Sequence, residues 1–356
     1  MYSQAAFFAS LVVFLFLSII KKEKDYLSWI LFSFSIAALV FTDYMPVFIL
    51  PVFWIYGIIS RLGKGWWIKF IASHIPLIIL SIFWLPSLII QSEGGRWLLS
   101  VLPAWKNVAG GANLKQAVLV WTKFTLGRIS LVDKKLYYLL IVISSIPFIP
   151  VLIKAYLVKN RVKMIWLWFL IPLVFGFMAS FLFPAFIYFR YLYVLPAFYL
   201  IVAWGISNLK KPLIKAVLFT LVVLINLGSW LIYISDPHQQ KEAWRDAVNF
   251  VESNAKATDV AIFEYPEPFT PYRWYSKNMI KAKGVTDSIA ADPVKTGLIT
   301  QDTIKDKMGV FYFEYLKDLS DPKGAVEETL LKKGFKIKYI NGSFPGIGQI
   351  KYWTRE

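Results

Sequence analysis

The chain has 356 residues, of which 57% are hydrophobic, and it contains no Cys. Its mean hydropathy of +0.55 is too high for an ordinary soluble domain and points to a polytopic membrane protein, while the missing Cys excludes disulfides and thiolate metal sites. Lys+Arg outnumber Asp+Glu 21 to 5 over residues 1–234, net +16, and 18 to 17 over 235–356, net +1, so the basicity belongs to membrane-proximal loops and not to a nucleic-acid-binding surface.

The chain opens "MYSQAAFFASLVVFLFLSIIKKEKD". Positive charge follows the apolar run instead of preceding it, and no small-residue cleavage site comes after it, so this is a span and not a signal peptide. About 20 helical residues cross the hydrocarbon core. By that measure the spans are 5–20, 26–41, 45–60, 70–90, 136–153, 164–183, 191–207 and 216–234. The second and third are short and joined by "TDY" (42–44), either as a tight hairpin or partly re-entrant, and Pro46 and Pro51 predict a late start or a kink in the third. Fifteen Trp, many near span ends, suit an interfacial belt.

The Lys/Arg-rich loops are "KKEKD" (21–25), "RLGKGWWIK" (61–69), "KAYLVKNRVK" (154–163) and "NLKKPLIK" (208–215). With all four on the cytoplasmic side, residues 1–4, 42–44, 91–135, 184–190 and everything after 234 lie outside. The expected architecture is a transmembrane domain, 1–234, with an outer loop at 91–135, and an extracytoplasmic domain, 235–356. The outer loop carries Arg96, Lys106, Lys115, Lys123, Arg128, Lys134 and Lys135 against Glu93 and Asp133, which asks for an anionic partner.

After Ser235 the pattern changes. "HQQKEAWRDAVNFVESNAK" places Trp244, Val248 and Val251 at helical spacing. "DVAIF" (259–263), "MIKAKGV" and "GVFYFEYL" read as strands, and "DPKGAVEETLLKKGFKIKYI" as a Pro-started helix, a stop at Gly334 and a strand. This alternation predicts a small α/β domain. "GSFPGIGQ" (342–349) is a turn between strands. Neither GxGxxG nor a P-loop occurs, so no nucleotide cofactor is expected; a divalent metal stays open.

Asp43, beside Tyr44, is the only acid between Asp25 and Glu93 and sits at the outer face. It is either a functional carboxylate or a cap for the helix near Pro46. In "FPAFIYFRYLYVLPAFYLIVAWG" (183–205), Arg190 enters the seventh span among Tyr188, Tyr191 and Tyr193. Its fork of donors suits a phosphate; snorkelling to the interface is the alternative. His74 reads as a helix-packing residue in preference to a proton relay, and His238 as a linker residue. "GGRW" (94–97) and residues 103–128 suggest an interfacial helix, either a lid over a lipid-linked substrate or simple membrane packing.

Together these segments resemble the GT-C glycosyltransferases, specifically the bacterial protein-mannosyltransferase-like group. "MYS" is similar to the end of that group's E-A-R-M-Y-S segment, and "LSWILFSFSIAALVFTDYMPVFILPVFWIYG" to its pair of spans around T-H-Y, with Asp43 where His is more usual. "FRYLYVLPAFYLIVAWGI" is similar to its R-Y-L motif, and "KEAWRDAVNFVESNAKATDVAIF" to its membrane-following helix and strand. The resemblance implies inverting transfer of a sugar from a polyprenyl-phosphate donor to an acceptor on the outer face of a bacterial-type cell membrane. It implies substrate-binding roles for Arg190, Tyr191, Asp43, Tyr44, Arg96, Lys106 and Arg128. The group's catalytic acid lies in a first outer loop that has no counterpart here, so none of this chain's acids is assigned as catalytic. The acid is expected upstream, with Met1 an internal methionine of a longer enzyme. The other reading is a non-catalytic membrane protein that binds or transports lipid-linked saccharide. A sensor is disfavoured, because the inner loops are too short for an output segment.

Overall fold

The computed structural model describes residues 1–102, 109–131, 133–240, 242–264 and 270–355. It divides into two units, one running to Ile232 and the other comprising Tyr233–Glu356 with a short stretch beginning at Ser100.

Apolar helices make up the first unit: α1 (Tyr2–Lys21), α2 (Tyr26–Thr42), α3 (Leu50–Ile59), α4 (Lys64–Ala72), α5 (Ile75–Val101), α6 (Leu114–Thr125), α7 (Lys134–Ser145), α8 (Phe148–Leu157), α9 (Lys163–Ala179), α10 (Leu195–Ser207) and α11 (Pro212–Ser235). Among the described residues, five stretches are long and apolar enough to cross a membrane: Tyr2–Lys21, Lys64–Val101, Lys134–Leu157, Tyr188–Ser207 and Pro212–Ser235. Tyr26–Thr42, Met45–Ile59 and Lys163–Ala179 are apolar but shorter. Several boundaries differ from the sequence reading. The helix expected to end at residue 90 continues to Val101 through Gly94, Gly95 and Arg96, so the first part of the expected outer loop is helical. The run expected to reach residue 183 stops at Ala179.

Phe16 of α1 sits at the centre of this unit. Its ring lies 4.6 Å from Phe53, 5.9 Å from Phe32 and 6.1 Å from Phe70, and all four side chains are fully buried. Aromatic pairs at such separations add to the burial of their own area. Gly205 sets the approach of α10 to α8, because a Cβ there would run into the Val151 carbonyl. Small residues let apolar helices come this close. His74 is buried, with Nδ1 2.8 Å from the Phe70 carbonyl and its ring 5.8 Å from Trp54. That is the packing arrangement read from the sequence.

The second unit is an α/β fold: α12 (Trp244–Asn254), β1 (Asp259–Phe263), α13 (Thr270–Tyr275), β2 (Lys281–Gly284), α14 (Pro293–Ile304), β3 (Gly309–Phe313), α15 (Lys317–Ser320), α16 (Ala325–Lys332), β4 (Lys336–Asn341) and β5 (Ile350–Thr354). Strand order is β2-β1-β3-β5-β4; β1 pairs in parallel with β2 and β3, and β5 runs antiparallel to β3 and β4. Alternation along the strands divides the core. Ala261, Phe263, Phe311 and Phe313 pack with Trp244, Val248 and Val251 of α12. Val260, Ile262, Val310 and Tyr312 pack with Ile304, Val326 and Leu330. Pro322 does not start a helix. The Asp321 carboxylate instead accepts the Ala325 and Val326 amides at 3.0 and 2.9 Å, and Gly324 turns the chain at φ 71°, so α16 begins at Ala325. The register of β4 against β5 shifts between Ile337 and Tyr339.

Glu264, the residue after β1, is fully buried and accepts the Tyr312 hydroxyl at Oε1. Burial pushes its carboxyl up to about 8; the Asp321 charge adds to this and the Tyr312 hydrogen bond opposes it. Among the described residues its Oε2 has no hydrogen-bond partner, and the Asp321 carboxylate is near enough to act on Glu264. Two carboxylates could not share that contact, but a carboxylic acid and a carboxylate can. The folded value lies above the ordinary 4.5. The stabilisation linked to this proton is therefore complete below about pH 4.5, declines as pH rises and is lost above about 8. Glu264→Gln keeps an acceptor for Tyr312 and a donor for Asp321. Relative to wild type at each pH, amide hydrogen exchange in β1 and β3 should match near pH 5 and be slower in the variant near pH 9. Equal exchange at both pH values would contradict a buried neutral acid.

Candidate functional site

Two short 3-10 segments, Met45–Ile49 and Tyr188–Val194, face one another in the first unit. Each stands just before a helix with a proline in its first turn, Pro51 in α3 and Pro196 in α10. Proline lacks an amide proton and its ring crowds the carbonyl four residues back, so the preceding turn tightens to 3-10 geometry. Backbone carbonyls in these turns need donors in an apolar setting. The Tyr193 hydroxyl donates to the Met45 carbonyl at 2.9 Å. Tyr191 lies beside it, its hydroxyl 3.9 Å from the Met45 sulfur. Gly176 of α9 makes room for that ring, since a Cβ there would collide with the Tyr191 hydroxyl.

Arg190 stands on this second 3-10 segment and is half-buried. Its charge acts on the hydroxyls of Tyr2 and Tyr191, and so does the charge of Asp43. The Tyr2 ring lies 5.4 Å from Phe189. The structure thus gathers Arg190, Asp43 and Tyr191 from the sequence candidates and adds Tyr2, which the sequence reading passed over. No carboxylate among the described residues lies within ion-pairing distance of Arg190, whose guanidinium keeps donors available. Asp43 Oδ1 accepts the Met45 amide at 3.1 Å, in keeping with a local cap. Tyr191 is fully buried and faces α9, so it supports the site from behind.

The remaining candidates lie elsewhere. Tyr44 is exposed, donates to Gln91 at 3.0 Å and accepts from Trp84 at 2.8 Å, which ties it to α5. Arg96 is exposed on the last turns of α5, and Arg128 is exposed just after α6; neither forms an ion pair among the described residues. Lys106 lies outside the described residues.

Lys123 of α6 emerges as an unexpected cation near the cluster. Its ammonium donates to the carbonyls of Arg128 and Ile129 at 3.2 and 2.6 Å and to the Tyr137 hydroxyl at 3.1 Å. It also stands 5.8 Å from the Tyr188 ring centroid. Burial, aided by the charges of Arg128 and Lys134, pushes it down to about 8. With all three protons engaged, Lys123 fastens the turn carrying Arg128 instead of binding a ligand. Among the described residues, no three His, Asp or Glu come together as metal ligands would. His238 pairs with Asp236 at 3.0 Å.

Removing a donor from a buried acceptor costs about 1–3 kcal/mol. Tyr193→Phe should therefore lower the unfolding temperature of the detergent-solubilised chain. Tyr191→Phe, which gives up only a weak contact to sulfur, should leave it nearly unchanged. Equal effects of the two substitutions would rule out the Met45 carbonyl as the reason for the tyrosine at 193.

No known protein-family model matches the chain, and no curated protein is similar to it at a significant level.

Proposed function

We propose that the chain binds the phosphate of a lipid-linked sugar at Arg190 and serves in transfer of that sugar from a polyprenyl-phosphate donor to an acceptor at the outer membrane face. One observation carries this reading. Arg190 is a half-buried guanidinium at the head of an apolar helix, with no carboxylate partner among the described residues. Such a group is disposed to meet an anion from outside the chain. As the lipid phosphate departs, negative charge grows on its oxygens, and a fixed cation stabilises that charge more than it stabilises the starting ester. The acceptor hydroxyl needs a general base. Asp43 has one oxygen engaged by the Met45 amide, and no residue is assigned that role.

The net charge of +16 over residues 1–234 supports an anionic partner in the same part of the chain. The resemblance of "FRYLYVLPAFYL" to the GT-C segment supports the choice of a sugar-bearing lipid phosphate. A second reading, lipid-linked saccharide binding without transfer, draws on the same arginine and is favoured by Asp43 being the one carboxylate that, among the described residues, acts on the same tyrosines.

Arg190→Ala should weaken binding of a polyprenyl phosphate in nanodiscs by about tenfold or more, the loss expected for a charge-assisted hydrogen bond worth roughly 1.5–3 kcal/mol. Arg190→Lys should recover part of it. Unchanged affinity in the alanine variant refutes the phosphate role. Normal binding by the wild type, with no release of lipid phosphate from a sugar-charged donor and an acceptor, selects the non-catalytic reading.

A further inference from the structure

Residues 154–163 and 208–215 hold seven cations and no acid, and no Asp or Glu occurs between Asp133 and Asp236. The first stretch carries the turn from α8 into α9, and the second carries the turn from α10 into α11. The structure brings these two turns together. Gly205 lets α10 close on α8 at Val151, and at the end of that contact the Trp204 indole donates to the Val158 carbonyl at 3.4 Å. Lys154, Lys159, Arg161 and Lys163 therefore share one end of the helices with Lys210 and Lys211, at the opposite end of the Tyr188–Ser207 segment from Arg190. Among the described residues, none of these six is in an ion pair. Orientation in a membrane asks only for an excess of positive charge, not for the loss of every neutralising acid. The connection at 21–25 shows the difference, since Glu23 stands among its lysines and pairs with Lys69 at 3.2 Å.

We propose that this end of the helices is a docking surface for anionic phospholipid, with headgroup phosphates held between the two cation-bearing turns. The inference does not depend on the role of Arg190. Charge complementarity selects an anion, and the surroundings select a lipid over a free phosphate or an acidic protein segment. Aromatic side chains mark the headgroup level at such helix ends. Here the Lys159 ammonium stands 3.6 Å from the Tyr156 ring centroid, and that ring meets Trp166 edge-on at 5.9 Å. Apolar surface adjoins each group of cations. Leu157, just before Lys159, is 72% exposed, and Leu213, just after Lys211, is 74% exposed. Acyl chains would cover these side chains, whereas a soluble anion would leave them in water.

Full-length protein in phosphatidylcholine nanodiscs doped with phosphatidylglycerol would be released for native mass spectrometry, and the phosphatidylglycerol retained on the chain followed as the doping rises. The patch variant carries Lys159→Gln, Lys210→Gln and Lys211→Gln together. The control carries Lys21→Gln, Lys22→Gln and Lys24→Gln, which remove the same charge from the connection between α1 and α2. A nanodisc offers both leaflets, so altered sidedness of insertion does not affect the count. The patch variant should need about tenfold more phosphatidylglycerol for the same occupancy. The control should match wild type, and arginine at the three patch positions should preserve binding. Equal losses in the patch variant and the control reduce the effect to net charge and overturn the proposal. So does a wild type that retains phosphatidylglycerol no better than phosphatidylcholine. Added salt should release the lipid from wild type, because exposed charges are screened; retention indifferent to salt rejects the surface whether or not the glutamine variant folds. If inorganic pyrophosphate displaces the lipid at equal concentration, the occupant is a soluble phosphate and the lipid surface is rejected.

Discussion

A hydrogen bond from a tyrosine to a carbonyl ties together two 3-10 segments of the first unit. Pro51 and Pro196 each loosen the turn before a helix, and the two loosened turns meet where the Tyr193 hydroxyl reaches the Met45 carbonyl. In a watery setting such a carbonyl would find solvent. Among apolar helices it must find a donor within the protein. Arg190 stands on the same 3-10 segment as Tyr193, and its charge and that of Asp43 both reach Tyr2. Gly176 has a matching role from the other side, because Tyr191 fits only where α9 has no side chain.

The cations of this region divide into two kinds. Lys123 spends its protons on two backbone carbonyls and a phenol, and so shapes a turn. Among the described residues, Arg190 has no such commitment. Composition alone could not separate them, since both belong to the same excess of positive charge. Burial and partners do so: a cation whose donors are all used inside the protein is architecture, and one whose donors remain open at a half-buried position is a candidate for recognition.

Much of the helical pattern was legible because apolar runs of sufficient length leave the chain few alternatives. The α/β alternation was readable where side chains repeat with a strong period, as in "DVAIF" and at Trp244, Val248 and Val251. α14 escaped notice although Asp292 and Pro293 mark its start. Its buried face is built from Thr296, Thr300 and Ile304, and two threonines do not read as an apolar stripe. The helix expected at Pro322 was displaced by the carboxylate of Asp321, whose capping range becomes evident only when the chain is folded. Within the site, Arg190 and Asp43 stood out as isolated charges in apolar text. Tyr2 did not, because a tyrosine near a chain start gains significance only when α1 brings it beside residues nearly two hundred positions away. Arg96 and Arg128 entered by charge alone, and neither shares the cluster's contacts.

The small sheet also bears on how the protein meets its neighbours. Its order leaves β2 and β4 as the outer strands. Each carries two lysines at alternate positions, Lys281 and Lys283 on one and Lys336 and Lys338 on the other, and β4 is further bent by its register shift. Like charges and an irregular ladder discourage a foreign strand from adding to a sheet. Wherever copies of one protein are held close together, exposed strand edges would be the quickest route to unwanted association. The same lysines that keep those edges apart leave the faces and loops of the domain as the surfaces through which it can engage other molecules.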